Sequence, residues 1–540
     1  MESLAQDLRE MQRTPLADDH VALLRELGEE RTYPAGASVV EVGERMDEFI
    51  YCEDGRIELV DPRTGERAVE ATIGPTQYLG EISFLNGGVW HMPMRAVEDT
   101  RCTVVKRDAM LDLMARVPEM SDIIVNVFAA RRRRTFEEQN SAITIIGSEQ
   151  DGALRRIESF ASRNKIPIKR CTLGTEEADT ALERAGLPKD RPAVILGRDK
   201  VIENPSPQGL ARFVGLDLPL AGEDDFDVVI VGGGPSGIAA AVYAGAEGLS
   251  ALLIEDQVIG GQAGTSSRIE NYMGFPTGIS GADLCFRGEM QAMRLGTRFV
   301  MPRRVARLSP LTDGRKGFCI GLEDGEEVKA KAVIIATGVQ YRRLPLEGLE
   351  DLEGEGVYYA ATDMEARYCH GSEAVIIGGG NSAGQAAMYL SRSASHVHVL
   401  VRGKELASSM SAYLSSRLEQ DPKITVHFQT ECTDLHGTDK LEAVTIHKKD
   451  KGEDVRIETP ALFVMVGAAP KVDWLGACVE LDDKGFVVTG KFEHCPSFYA
   501  TSAPGVYAVG DVRSGSVKRV ASAVGEGSVV ISHVWNHVNG

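Results

Sequence analysis

A β-branched run that ends in three consecutive glycines constrains this chain more than any other stretch. From Phe226 to Asp256 it reads FDVVIVGGGPSGIAAAVYAGAEGLSALLIED. The apolar residues Val228 to Val231 lead into Gly232-Gly233-Gly234-Pro235-Ser236-Gly237. An Ala-rich segment of helical character follows, and a second apolar run closes on Glu255. This order predicts a βαβ unit carrying a dinucleotide fingerprint. Gly232 permits the tight turn, Gly234 lets the backbone approach a pyrophosphate, and Gly237 lets helix and strand pack closely. Pro235 and Ser236 open the helix, whose unpaired N–H groups and dipole favour an anion. Glu255, 18 residues beyond Gly237, is placed to accept from ribose hydroxyls.

A second stretch, AVIIGGGNSAGQAAMYLSRSASHVHVLVRGKEL, repeats the pattern. Gly378, Gly380 and Ala383 are its three small positions, with Asn381 and Ser382 opening the helix. Its second strand ends at Val401-Arg402-Gly403-Lys404 and carries no acid there. A carboxylate at that point would favour NADH, whereas cations such as Arg402 and Lys404 accommodate a 2′-phosphate, so NADPH is favoured. The fold class expected is multidomain α/β with two Rossmann-like dinucleotide-binding domains.

The length of 540 residues accommodates roughly three to four domains. A net charge of -20 argues against nucleic acid or an anionic membrane as partner, because either needs a basic face. No apolar run approaches the ~20 residues that cross a bilayer. The start, MESLAQDLREMQRT, is charged from its second residue and does not read as a secretory signal, so a cytoplasmic protein is expected. Nine cysteines are scattered, the closest pair being Cys478 and Cys495, 17 residues apart. There is no CxxC, neither a zinc knuckle nor a dithiol motif, and no metal site is expected.

Ahead of the first fingerprint the chain reads as two further modules. Residues 1–140 begin with a helical stretch, followed by short β-like runs broken at Pro34-Ala35-Gly36, Asp54-Gly55, Asp61-Pro62 and Thr64-Gly65, which suggests a β-roll. RTYPAGASVVEVGERMDEFIYCEDGRIELVD and YLGEISFLNG resemble the cyclic-nucleotide-binding domain family. The resemblance implies a ribose contact at Gly80-Glu81 and a phosphate-binding Arg with Ser or Thr a dozen residues on. Met92 and Pro93 stand at those two positions, and strand alternation points Arg95 the other way. Cyclic nucleotide binding is therefore not expected. The quartet Arg131 to Arg134 is expected to be a solvated helix end.

From 141 to 217 the order is βαβαββα, which resembles the thioredoxin/glutaredoxin fold. Arg191-Pro192 stands where that family has its cis-proline turn, and Ser148-Glu149-Gln150-Asp151 stand where its redox cysteines belong. The resemblance implies an adaptor without redox function.

After the linker LDLPLAGEDD, residues 226–540 resemble the low-molecular-weight thioredoxin reductases. IGGQAGTSSRIENYMGFP supplies Gly260-Gly261-Gln262 and Glu270-Asn271, which the resemblance lays along a flavin ring. VIIATG supplies Thr337 and Gly338, and GVYAVGDV supplies Gly510-Asp511, the family's contact to the ribityl chain. Arg519 and Val520 begin the helix that faces the ring's pyrimidine edge. The resemblance implies FAD at residues 226–340 and 467–540, NADPH at 341–466, and a homodimer. The family's redox motif G-V-x-x-C-A-T-C-D reads here Gly356-Val357-Tyr358-Tyr359-Ala360-Ala361-Thr362-Asp363-Met364. Ala360 and Asp363 occupy both cysteine positions. Asp363 has two readings, a general acid at the ring face or a helix N-cap. Function likewise divides between an oxidoreductase with a non-disulfide electron acceptor and a redox sensor with little turnover.

Overall fold

The computed structural model describes residues 13–540 except 63, 91, 138–142, 149, 150, 165, 198, 199, 203, 204, 218, 219, 221–224, 267, 268, 270, 313, 342, 343, 350, 354, 360, 362, 407–409, 411, 439, 491 and 493–496. The chain forms two compact units, one built from residues up to Gly338 and from Val472 onward, the other from Val339–Lys471.

The first unit opens with helix α1 (Asp18–Leu27) and a roll of two small sheets. Strands β1 (Glu29–Tyr33), β7 (Thr100–Lys106) and β3 (Glu48–Asp54) form one sheet. Strands β2 (Ser38–Val40), β6 (Met94–Ala96), β4 (Ile57–Val60) and β5 (Arg67–Ile73) form the other. At Gly55 (φ 90°) a Cβ would lie 2.5 Å from the Thr100 hydroxyl, so the β3–β4 turn takes only glycine comfortably. A short helix α2 (Ser83–Asn86) follows Gly80-Glu81, and α3 (Arg107–Arg116) and α4 (Pro118–Glu137) close the roll. The rings of Phe49, Tyr78, Phe84 and Phe128 meet at 5.1–6.2 Å between centroids in its core. Arg131 is not a solvated helix end: it donates to the Gly80 carbonyl at 2.8 Å and lies over the Tyr78 ring. The aromatic core offers a ring face and α4 an approach to the strand end, which a cation on a long apolar stem satisfies together.

The next module is β8 (Ile143–Gly147), α5 (Gly152–Arg163), β9 (Lys169–Thr172), α6 (Glu176–Arg184), β10 (Ala193–Leu196), β11 (Lys200–Val201) and α7 (Pro207–Phe213). Its sheet runs β11-β10-β8-β9, with β8 and β9 parallel and β10 antiparallel to both neighbours. The Arg191–Pro192 bond is trans, unlike the turn that the resemblance implied; the one cis bond among the described residues is Met301–Pro302. Glu149 and Gln150 lie outside the described residues, and Cys171 is buried on β9.

Strand β12 (Asp225–Val231) then starts the first Rossmann-like fold with α8 (Pro235–Ala246), β13 (Ala251–Ile254), α9 (Gly281–Arg294), β14 (Arg298–Val300), β15 (Val305–Pro310), β16 (Phe318–Leu322) and β17 (Glu327–Ile335). The sheet order is β14-β13-β12-β17-β16-β15, and β12, β13, β14 and β17 run parallel where they neighbour one another. The near-continuous apolar text of β12 and β13 is that of strands covered on both faces.

The second unit contains β18 (Val339–Tyr341), β19 (Val357–Tyr358), α10 (Asp363–Tyr368), β20 (Glu373–Ile377), α11 (Asn381–Leu390), β21 (His396–Val401), α12 (Ala412–Gln420) and β22 (Ile424–Phe428). It continues with β23 (Thr430–His436), β24 (Ala443–Lys448), β25 (Glu453–Glu458), β26 (Ala461–Val464) and β27 (Ala468–Pro470). A parallel sheet β19-β26-β20-β21-β22 has one apolar cluster on each face. Strands β18 and β27 pair with each other, which draws residues 339–341 and 467–471 into this unit. The chain returns to the first unit with β28 (Val506–Ala508), parallel to β17, and α13 (Val520–Asn539), packed along α8.

Candidate dinucleotide sites

In the first unit, the fingerprint glycines do what their positions demand. Gly232 has φ 111°, and a Cβ there would lie 2.4 Å from the Ala336 carbonyl oxygen. A Cβ on Gly237 would lie 1.9 Å from the Gly232 carbonyl oxygen, which locks α8 against the end of β12. At Gly234 the same direction is open space. Gly234 is the N-cap of α8, Pro235 fills the first turn, and no side chain caps the helix. The open backbone end of α8 thus has donors available for an anion.

The surrounding segments converge on that end. Gly260 donates to the Gly233 carbonyl at 2.7 Å, and a Cβ on Gly261 would lie 3.2 Å from the Gly234 Cα. Gln262 caps the short 3-10 turn that follows. Thr337 and Gly338 follow β17 beside Gly232, with open space at Gly338. A Cβ on Gly510 would lie 2.6 Å from the Ser236 hydroxyl. Asp511 sits in the turn beyond, where burial pushes its carboxyl up and Lys518 opposes the shift. Arg519 is the N-cap of α13, Val520 its first residue, and no side chain caps that helix either. Asn271 is exposed on a loop that Ile269 and Ile279 close by mutual backbone bonds of 2.6 and 3.1 Å. Glu270 lies outside the described residues.

The Glu255 carboxylate accepts from the Gly233 N–H at 2.6 Å and the Gln257 N–H at 2.9 Å. Burial, with Asp256 beside it, pushes it up to about 7. It therefore orders the fingerprint loop as well as standing at the end of β13. Two residues that the sequence reading missed, Glu526 and Arg513, hold the opposite wall. Glu526 on α13 accepts from the Gly510 N–H at 2.6 Å and from Arg513 at 2.5 and 3.0 Å. The only sequence signal was a lone acid inside an otherwise apolar helix.

The second unit repeats the device. Gly378 has φ 151°, and its Cβ would lie 2.5 Å from the Met465 carbonyl oxygen and 3.1 Å from the Ala383 Cβ. Ala383 is fully buried, so the third small position serves packing. Gly380 caps α11 without a side-chain bond, and Ser382 follows in the first turn. Arg402 and Lys404 are exposed just beyond β21. The Asn381 and Asp363 side chains and residue Ala360 lie outside the described residues; Asp363 is the first residue of α10. The unit's two cysteines fall on opposite faces of its parallel sheet, Cys369 in one apolar cluster and Cys432 against the other. Burial pushes the Cys432 thiol up to about 12 and raises Cys369 as well.

Residues 226–527, more than half of the chain, match the pyridine nucleotide-disulphide oxidoreductase family. The chain belongs to that family, in its thioredoxin reductase-like branch. A thioredoxin reductase of Mycoplasmopsis pulmonis is 32% identical over 315 residues, covering 58% of this chain and 97% of the relative. The NADPH-dependent thioredoxin reductase 3 of Arabidopsis thaliana is 34% identical over 315 residues, 57% of this chain; the chain spans 57% of that relative's length. The crystal structure of thioredoxin reductase from Streptococcus pyogenes superposes with a TM-score of 0.52 at 29% identity, covering 58% of this chain and 99% of that one. Thioredoxin reductases use FAD and NADPH. Residues 30–117 match the cyclic nucleotide-binding domain family. No helix among the described residues is long and apolar enough to cross a membrane.

Proposed function

We propose that this chain is an FAD-dependent NADPH oxidoreductase whose electron acceptor is not a protein disulfide. In the first unit, Gly232, Gly234, Pro235, Ser236 and Gly237 would hold the FAD pyrophosphate and Glu255 a ribose. Gly261, Gln262, Asn271, Thr337, Gly338, Gly510, Asp511, Arg519 and Val520 would line the rest. The open, uncapped ends of α8 and α13 and the empty space at Gly234 fit an elongated anionic cofactor. In the second unit, Gly378, Gly380, Asn381, Ser382 and Ala383 would hold the NADPH pyrophosphate, with Arg402 and Lys404 at the 2′-phosphate. FAD, when bound, supplies a two-electron acceptor for the nicotinamide hydride.

The observation that carries the acceptor assignment is the pair Ala360 and Asp363, which stand where the family's redox cysteines align. Disulfide reduction needs a thiolate and a second, resolving thiol within bonding reach. Neither Ala nor Asp supplies one, and Cys369 and Cys432 lie with separate apolar clusters on opposite faces of the sheet. Asp363 has the two roles already described, proton donor or helix N-cap. The test is NADPH oxidation against thioredoxin, disulfide reagents, quinones, ferredoxin and oxygen, beside an Ala360→Cys, Asp363→Cys double variant. Turnover with one non-disulfide acceptor and almost none with disulfides is expected. Robust disulfide turnover by the wild type would sink the assignment.

The close packing of the N-terminal modules on the flavin-type fold favours a second reading, a cytoplasmic redox sensor with little turnover. Uniformly negligible rates in the same screen would support it. The module at 141–217 is inferred to be a thioredoxin-like adaptor, on its βαβαββα order and parallel β8–β9 pair. A homodimer is proposed, with the exposed Tyr243, Val529 and Trp535 on α8 and α13 as its apolar surface. Neither nucleic acid nor membrane is proposed as a partner, given the acidic charge.

The roll is proposed not to bind cyclic AMP or cyclic GMP at micromolar concentration. Arg95 is engaged with Glu58, Arg131 with Gly80 and Tyr78, and Met92 packs on the core of the neighbouring module. A buried phosphate without its guanidinium forfeits about 2–5 kcal/mol. Titration calorimetry should register no binding of either nucleotide.

A further inference from the structure

The roll contains a pair of thiols that the flavin chemistry does not use. Cys52 on β3 and Cys102 on β7 are directly opposed in the antiparallel register and completely buried. The backbone groups of Cys52 point away from β7: its N–H donates to the Gln77 carbonyl at 2.8 Å, and its carbonyl accepts from the Thr76 N–H at 3.2 Å. In an antiparallel ladder both groups of a residue point to the same side, so Cys52 and Cys102 are a non-hydrogen-bonded pair. Such pairs bring Cα atoms to about 4.5 Å and side chains closest together, within the range that a disulfide spans. The Cys52 thiol also lies 3.7 Å from the Asp54 carbonyl and 3.9 Å from the Gly55 carbonyl at the strand's end. The ladder shifts register just beyond, between Cys52 and Asp54, which gives the strand local freedom to adjust.

We propose that Cys52 and Cys102 are a reversible thiol/disulfide couple that peroxide-class oxidants convert to a cross-strand bond. One thiolate attacks a peroxide oxygen, breaking the O–O bond and forming a sulfenic acid, while the proton that the thiol gave up passes to the departing oxygen, which leaves as water. The second thiol attacks the sulfenyl sulfur; the S–S bond forms, the S–O bond breaks and a second water leaves. Two thiols are oxidised by two electrons and one peroxide becomes two waters. The donated Cys102 S–H holds Cys52 below its ordinary value despite burial and itself is pushed up, so Cys52 is the first nucleophile. The bond would staple β3 to β7 beside the segment from Thr76 (φ 70°) to Tyr78 and Gly80-Glu81, so the oxidation state of the pair sets how freely that wall of the roll moves.

The experiment treats the full-length holoprotein with hydrogen peroxide, quenches in denaturant with an alkylating agent, and maps the peptides. The expected result is a Cys52–Cys102 peptide pair lighter by two hydrogens, removed by dithiothreitol and absent in Cys52→Ser and in Cys102→Ser. Hydrogen exchange across residues 74–81 should slow in the oxidised protein. Cys285 is an internal control, buried on α9 against the Gly260 carbonyl rather than opposite a cysteine on a neighbouring strand. If Cys52 and Cys102 both remain alkylable after peroxide, or cross-link only when denaturant is present during oxidation, the proposal is overturned.

Discussion

Gly237 has no room for a single added carbon. The nearest atom to its Cβ direction is a backbone oxygen at 1.9 Å, which cannot rotate away as a side chain would. Gly237→Ala must therefore part α8 from β12, an overpacking cost of roughly 1–3 kcal/mol, and it shifts the backbone donors with it. Protein purified from this variant should carry much less flavin per chain by absorbance, and full flavin occupancy would contradict the close-packing account. Arg402 presents the opposite case, an exposed cation whose proposed role is through a ligand. Arg402→Ala should leave folding untouched and raise KM for NADPH while leaving NADH unaffected. A charge-assisted hydrogen bond is worth about 1.5–3 kcal/mol, hence an order of magnitude or more in affinity. Equal losses for the two nucleotides would remove Arg402 from the 2′-phosphate site.

At the level of the element, β21 and β22 carry a half-buried histidine cluster, with Glu373 of β20 against it, that no sequence pattern announced. His398 Nδ1 faces His427 Nε2 at 2.9 Å, His398 Nε2 faces Glu373 at 3.1 Å, and His396 faces Thr425 at 2.8 Å. Burial holds His427 down at about 4, with His398, Lys448 and His396 adding to it; burial also lowers His398, against the pull of Glu373. An unfolded histidine titrates near 6.5, so between about pH 6.5 and 4 the unfolded chain binds more protons than the folded one. Stability of the second unit is then complete above this window and falls as pH drops through it, by about 1–2 kcal/mol once solvent screening is allowed for. Thermal unfolding of the full chain from pH 7.5 to 4.5 should register the loss, and His427→Gln should flatten the slope. An unchanged slope in that variant would acquit the pair. The fingerprint turns, by contrast, were legible residue by residue, because a glycine's steric demand acts within a few positions. Arg131 was not, because its partners Gly80 and Tyr78 lie about fifty residues upstream and only the folded roll brings them together. Glu526 and Arg513 escaped although they lie only 13 residues apart, because no motif spacing pairs an acid inside α13 with the loop before it.

The first unit joins three modules, and a buried ion-pair network fixes the middle one to the flavin-type fold. Asp217, just after α7, bonds Arg303 and accepts from Arg212 at 2.9 Å, while Arg303 reaches Glu326 at 2.5 Å. Asp217 and Arg303 are 2% and 3% exposed, so their charges rely on this network, with Arg212, Glu326 and Asp324 at its rim, rather than on water. The Met301 N–H donates to the Leu216 carbonyl at 3.2 Å, and Asn164 donates to the Gln257 carbonyl at 3.3 Å. Met301 also shares an apolar cluster with Val214 and Leu216. Modular text therefore gave the order of the modules and not their union, since Asp217 and Arg303 are 86 residues apart and neither belongs to a recognisable motif. Removing Asp217 leaves the buried Arg303 to Glu326 and Asp324 at the rim; breaking one member out of a buried pair costs up to about 3–5 kcal/mol, whereas replacing both with apolar residues of similar volume is often neutral or stabilising. Asp217→Ala should lower the urea midpoint of the first unit and release the middle module to proteolysis. The double variant Asp217→Leu, Arg303→Met should recover most of that midpoint. If the single variant unfolds at the wild-type midpoint, the module is held by its apolar contacts alone. If the double variant is no better than the single, the cost lies in lost hydrogen bonds rather than in the stranded guanidinium.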